Sequence, residues 1–103
     1  MTIDLTEVRA KAEGALASVE ADPGASPVLA AVVREFVSKT GKADKLTGDA
    51  REWEAVVELE QAADSAKAAA EADAGSADAT TASVQAAHLA ICVLKAEYGQ
   101  TVG

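Results

Sequence analysis

Apolar residues recur three or four positions apart in four segments of this chain, and residues that begin or end helices bound each segment. In the first segment, Asp4 to Glu7 reads as a capping box. Ile3 and Val8 stand where a hydrophobic staple would join the chain ahead of the helix to its second turn. Asp22-Pro23-Gly24 is expected to end this helix.

The other three segments carry similar signals. Ser26 followed by Pro27 predicts the start of a second helix, and Gly41 is expected to end it. Asp49 opens a second Asp-x-x-Glu pattern, and Gly75 is the natural end of the helix that follows it. We therefore expect helices over about 4–21, 27–40, 50–73 and 78–98, in a single domain spanning residues 1–103.

The lengths of the connections predict how these helices are arranged. Short loops at 22–26 and 73–77 make sequential helices antiparallel neighbours, and a longer crossover near 41–48 joins the two pairs. The expected fold is all-α, an up-down-up-down four-helix bundle. The alternative is an intertwined helical-hairpin dimer, in which helices three and four form one long hairpin.

Alanine makes up 26 of the 103 residues, whereas Trp, Tyr and Phe occur once each. Alanine favours helix but buries little area, so the core of a domain this small is short of apolar surface. The second half of helix three, residues 62–74, has no large apolar residue. Self-association is one way to make up this deficit.

A weak internal repeat joins the two halves of the chain. Residues 20–24 match residues 71–75 in all but one position, at an offset of 51. Chance matches are frequent in so alanine-rich a sequence, and the repeat predicts two helical hairpins with similar turns.

The net charge of −8 and the absence of a basic cluster disfavour partners rich in phosphate. We therefore expect no nucleic acid and no membrane as a partner. One cysteine cannot form an intramolecular disulfide, and the N-terminus lacks the pattern of a secretory signal. These features predict a cytoplasmic protein.

Two groups of residues are candidates for chemical sites. His88 and Cys92 share one face of helix four, at a spacing that suits half a metal site or a nucleophile and its base. No second His or Cys completes a metal site, so a satisfied core or interface histidine is the favoured interpretation. Glu54, Glu58 and Asp64 on helix three would hold a divalent metal only with help from another helix, and a solvated acidic face is favoured instead.

The sequence therefore predicts a non-catalytic interaction or assembly module with no cofactor and no metal. Helix four carries more apolar surface than one seam needs, which predicts a homo-oligomer, most simply a dimer, or another protein as partner. One alternative is an acidic inhibitor or immunity-type partner of a basic protein, and another is a carboxylate-based divalent-metal enzyme. The candidate interface residues are Leu89, Ile91, Val93, Leu94 and Tyr98.

Overall fold

The computed structural model describes residues 4–102, with backbone only at residues 99–102. Within that range the chain forms four helices and no strand. The expected helical bundle is confirmed. The helices are α1 (Leu5–Ala21), α2 (Pro27–Lys45), α3 (Glu52–Ala72) and α4 (Asp78–Val102).

The four helices pack as a square in which each contacts the helices before and after it, and α4 closes the square against α1. Neighbouring helices run antiparallel. Arg9 near the start of α1 pairs with Asp44 near the end of α2 at 3.5 Å. Glu71 at the end of α3 accepts a hydrogen bond from Gln85 near the start of α4 at 2.9 Å. The topology is therefore up-down-up-down.

The ends of α1 and the start of α2 follow the sequence signals. The Asp4 carboxylate accepts the backbone N–H of Glu7 at 2.9 Å, as the capping pattern predicted. Ser26 caps α2 in the same way by accepting the N–H of Leu29, and Pro27 occupies the first turn. Ile3, the expected staple residue, lies outside the described residues.

The prediction that Gly41 ends α2 is wrong, because the helix continues to Lys45. A glycine inside a helix costs only about 1 kcal/mol relative to alanine. Continuation buries Ala43 in the core and brings Lys42 within 3.0 Å of Glu58 on α3. The crossover accordingly lies at 46–51, and its turn uses Gly48, whose φ of 84° falls in the left-handed region.

Asp49 was expected to cap α3, but α3 begins at Glu52 with no side-chain cap. The Asp49 carboxylate instead accepts the N–H of Arg51 at 2.9 Å, two residues on. The Glu52 carboxylate accepts the N–H of Gly48, also at 2.9 Å. Both acidic side chains therefore stabilise the turn that precedes the helix.

The core is built from few large side chains and many alanines. The alanine-rich half of α3 is part of it, since Ala63, Ala66 and Ala70 are all buried. Small side chains at these positions let the helix backbones approach closely. The largest fully buried apolar side chains are Phe36, Leu29, Leu59, Ile91, Val8, Val33 and Val84.

The two hairpins, α1–α2 and α3–α4, repeat one burial pattern at the offset of 51 positions that the sequence suggested. Wherever α1 or α2 buries a residue between positions 8 and 40, the residue 51 positions later in α3 or α4 is buried too. The bundle therefore has an internal pseudo-two-fold relation. The related pairs are Val8 and Leu59, Ala12 and Ala63, Ala15 and Ala66, Val19 and Ala70, Leu29 and Thr80, Val33 and Val84, Phe36 and Ala87, and Thr40 and Ile91.

The same relation governs the loops 22–26 and 73–77, which meet at one end of the bundle. Asp22 accepts the N–H of Ala77 at 2.8 Å, and Asp73 accepts the N–H of Ser26 at 2.8 Å. Each aspartate thus binds the backbone just ahead of the second helix of the other hairpin. The pKa of Asp22 is lowered chiefly by the N–H of Ala77, and the pKa of Asp73 chiefly by the N–H of Ser26, because both bonds favour the charged carboxylate.

Gly24 and Gly75 lie at the point where these two loops touch. A Cβ added to Gly24 would lie 1.9 Å from the carbonyl oxygen of Gly75, and a Cβ added to Gly75 would lie 2.3 Å from that of Gly24. Any side chain here would force the loops apart. We call this arrangement of Asp22, Gly24, Asp73 and Gly75 the loop clasp.

Candidate functional site

His88 and Cys92 lie together on the side of α4 that faces α3. The His88 nitrogen Nε2 is 2.6 Å from Oδ1 of Asp64 on α3. The Cys92 sulfur lies 3.6 Å from the same nitrogen and 3.8 Å from Nδ1. A general base must bridge a nucleophile and an orienting group through its two different nitrogens. Here the sulfur lies at nearly equal distances from the two nitrogens, so the geometry does not single out either nitrogen as a base for the thiol.

The electrostatics at Cys92 point the same way. Burial raises the pKa of the thiol first, and the negative charges of Glu60 and Asp64 raise it further. A reactive cysteine requires a stabilised thiolate, which these surroundings disfavour. The geometry supports the interpretation of His88 as a histidine whose hydrogen bond is satisfied, here by Asp64 across the boundary between α3 and α4.

His88 belongs to a series of polar contacts along the α3–α4 boundary. Lys95 donates to Glu60 at 2.7 Å, and this bond raises the pKa of the Lys95 ammonium. Gln85 and Glu71 form the contact nearest the loop clasp. These pairs join the two helices side by side, which is a structural role.

The three carboxylates considered as metal ligands do not converge. Glu58 faces α2, where Lys42 and Lys39 lie 3.0 and 3.5 Å away, and the hydrogen bond from Lys42 is the main cause of its lowered pKa. Asp64 faces α4 and His88, and Glu54 is exposed to solvent. Among the side chains of residues 4–98, no three His, Cys, Asp or Glu groups are placed to hold one metal ion.

The five predicted interface residues fall on different faces of α4. Leu89 is 64% exposed and Val93 is partly exposed. Ile91 has no exposed surface, so it is a core residue and cannot contribute to an interface in this fold. Leu94 packs against the core as well. Tyr98 stacks on Trp53 of α3 with ring centroids 5.2 Å apart, and its hydroxyl donates to Glu52, which raises the tyrosine pKa.

Sequence reasoning mixed two faces of α4 because apolar residues occur on both. Ile91 and Leu94 follow the spacing of Val84 and Ala87, which point into the bundle. The outward face carries alanines that were interpreted only as helix formers. Ala86 lies three positions before Leu89 and Ala96 lies three positions after Val93, and this helical spacing was the signal that could have found them.

This outward face forms a continuous apolar stripe along α4. No Asp, Glu, Lys or Arg occurs between Ala79 and Leu94. All members of the stripe are exposed except Val93, which is partly exposed. We call this stripe the α4 seam; it consists of Ala82, Ala86, Leu89, Val93 and Ala96.

The fold is that of a small up-down-up-down four-helix bundle with an internal pseudo-two-fold relation. Comparison with known proteins finds no matching family model, no matching curated protein and no matching solved structure. None of the helices in the described part of the chain is long and apolar enough to cross a membrane.

Proposed function

We propose that this chain is a non-catalytic protein-interaction module, and that it self-associates through the α4 seam. A single exposed leucine would carry no such argument, because soluble proteins expose isolated apolar residues routinely. The α4 seam differs because it is continuous and free of charge. Another protein can cover such a stripe without burying an unpaired charge.

The observation that carries the proposal is the internal comparison between α4 and α2. The two helices occupy equivalent places in the two hairpins, and every residue that α2 buries between Leu29 and Thr40 has a buried equivalent in α4. Their outward positions differ in chemistry, because α2 has polar or charged residues at four of the five positions that form the seam in α4. From Ala82 to Ala96, the residues 51 positions earlier are Ala31, Glu35, Ser38, Lys42 and Lys45.

The fold itself therefore does not require an apolar outward face. A helix at the equivalent place remains in the bundle with Glu35 and Lys45 directed to solvent. The alanine, leucine and valine side chains of α4 leave apolar area in water without a compensating gain in the core. Covering that area with a second protein surface favours association by about 25 cal/mol per Å² before the entropy lost on binding is subtracted.

The test is sedimentation equilibrium of the full chain from the micromolar to the millimolar range. One variant gives α4 the outward residues of α2: Ala86→Glu, Leu89→Ser, Val93→Lys and Ala96→Lys. We expect the natural chain to self-associate with rising concentration and this α2-like variant to stay monomeric. Circular dichroism should show the same helix content in both.

The matched control is Val28→Ser, which removes an exposed valine from α2 outside the seam. This variant should associate as the natural chain does. A natural chain that is strictly monomeric at millimolar concentration contradicts self-association. Association that survives in the α2-like variant contradicts the role of the seam.

Ionic strength separates this proposal from the acidic-inhibitor alternative. Two copies that each carry a net charge of −8 repel, so added salt should strengthen self-association. Binding of an acidic inhibitor to a basic protein should instead weaken as salt is added.

A further inference from the structure

The end of the bundle opposite the loop clasp contains an open pocket of about 220 Å³. Its walls come from the starts of α1 and α3, the end of α2 with the crossover, and the C-terminal part of α4. Leu5, Ala43, Val56 and Leu94 give it an apolar lining. Ala43 and Val56 are buried core residues, so the pocket reaches the hydrophobic core of the bundle.

The pocket surrounds the pseudo-two-fold axis, because it is lined by both members of three pairs related by the offset of 51 positions. In two of these pairs the member earlier in the chain is the smaller one, since alanine is paired with leucine and threonine with tyrosine. The loop clasp closes the other end of the axis, whereas these smaller residues leave space at this end. We call this space the axial pocket; its related pairs are Leu5 and Val56, Ala43 and Leu94, and Thr47 and Tyr98.

Two acidic residues, Asp4 and Glu52, also line the axial pocket, and its other described lining residues are uncharged. Asp4 accepts the N–H of Glu7 through Oδ1, and its second carboxylate oxygen has no partner among the described residues. Glu52 accepts the N–H of Gly48 and the hydroxyl of Tyr98, which are both neutral donors. Within the described residues neither carboxylate forms a salt bridge. The apolar lining therefore lies beside negative charge that no cation of the described residues balances.

We infer that the axial pocket binds a small organic amine, with its apolar part against Leu5 and Leu94 and its ammonium group held by Asp4 and Glu52. An apolar cavity of about 150 Å³ admits a benzene-sized molecule. The axial pocket therefore has space for an aromatic ring with a short aminoalkyl chain. An ammonium group forms charge-assisted hydrogen bonds with carboxylates, which are stronger than those of a neutral hydroxyl. No residue of the α4 seam lines this pocket, so the inference is independent of the proposed function.

Phenethylamine and phenethyl alcohol are matched probes for this site. They share an aromatic ring and a two-carbon linker, but an alkyl amine is protonated at neutral pH, as lysine is. Trp53 is the one tryptophan of the chain and stacks on Tyr98 at the pocket wall, so its fluorescence should report binding. In the full chain we expect the amine to bind about three- to tenfold more tightly than the alcohol, because hydrogen bonds to charged groups are the stronger ones.

Two variants separate the role of the space from the role of the charge. Thr47→Tyr places at the exposed rim the ring that the other hairpin has at Tyr98, and it should narrow the pocket and abolish binding of both probes. The double variant Asp4→Asn and Glu52→Gln should lower the affinity for the amine to that for the alcohol, while asparagine still caps α1. Val28→Tyr adds the same ring at the opposite end of α2, where the valine is 68% exposed, and should bind as the natural chain does.

The thermal unfolding midpoint gives a second measure of binding, because a ligand of the folded state raises it. Equal affinities for the amine and the alcohol in the natural chain would overturn the inference, since the carboxylates would then have no role. Binding that persists in the Thr47→Tyr variant would place the ligand elsewhere and contradict the site. The inference also fails if millimolar amine changes neither the fluorescence nor the midpoint. None of these results bears on self-association, which sedimentation measures separately.

Discussion

Gly24→Ala is the substitution for which the structure gives the clearest expectation. The new Cβ would lie 1.9 Å from the Gly75 oxygen, which is 1.5 Å inside the 3.4 Å at which ordinary contact begins. The obstacle is backbone in a loop held by both aspartates of the loop clasp, so it cannot rotate away as a side chain would. Overpacking of this kind costs about 1–3 kcal/mol. For a domain of about 100 residues the midpoint of thermal unfolding should fall by roughly 4–24 °C.

Gly14→Ala is the matched control, because it adds the same methyl group with the opposite expected sign. Gly14 lies inside α1, and an added Cβ would meet nothing within 4 Å. Alanine there should stabilise the fold by about 0.5–1 kcal/mol through helix propensity. Urea unfolding followed by far-UV circular dichroism measures both changes. If the Gly24→Ala variant is as stable as the natural chain, the close contact between Gly24 and Gly75 is refuted.

The double variant with Gly75→Ala sharpens this test. Once the first methyl group has separated the loops, the second finds part of the space already open. The combined loss of stability should therefore be smaller than the sum of the two single losses. An additive result would mean that the two glycines act independently and do not share one contact.

The remaining predictions concern other groups. Asp22 and Asp73 have lowered pKa values in the folded state. The stability they add is therefore present above their unfolded pKa near 3.9, and it is lost as the pH falls through their folded pKa values. A variant with Asn at both positions should lose less stability between neutral pH and pH 3 than the natural chain, as measured by urea midpoints. Gly41→Ala should stabilise the fold by about 0.5–1 kcal/mol, because the position is helical and open. Gly48→Ala should destabilise the fold by about 1–2 kcal/mol, because the φ of Gly48 is positive. Unfolding curves that show the reverse order of stability would contradict the described crossover. Cys92 should react with iodoacetamide more slowly in the native protein than in urea at the same pH, because its folded pKa is raised.

The fold was largely predictable because local signals and the tertiary structure agree. The capping aspartate, the Ser-Pro start of α2 and the two glycine-containing loops each act within a few residues, so sequence spacing reveals them. Gly41 was misjudged because its local preference opposes the burial of Ala43 two residues later. A preference of about 1 kcal/mol cannot be weighed against a tertiary contact that the sequence does not display.

The loop clasp lay beyond sequence reasoning for a related reason. The match between residues 20–24 and 71–75 predicted similar turns, but similar turns need not touch. Only the antiparallel square brings both loops to one end, where each aspartate can reach the other hairpin. The repeated residues thus turn out to be the ones that contact each other across the pseudo-two-fold relation.

The core bears on whether the fold needs its proposed partner. The sequence suggested that close helix approach or self-association would help so alanine-rich a chain to make up its small core. In the structure, Ala63, Ala66 and Ala70 are buried within a single chain, and none of the α4 seam residues is fully buried. Seam and core are therefore separate surfaces of α4, so losing the partner should expose the seam without opening the bundle. The α2-like variant should then unfold at nearly the same urea concentration as the natural chain at low protein concentration, because mass action adds little to stability where the dimer is dissociated.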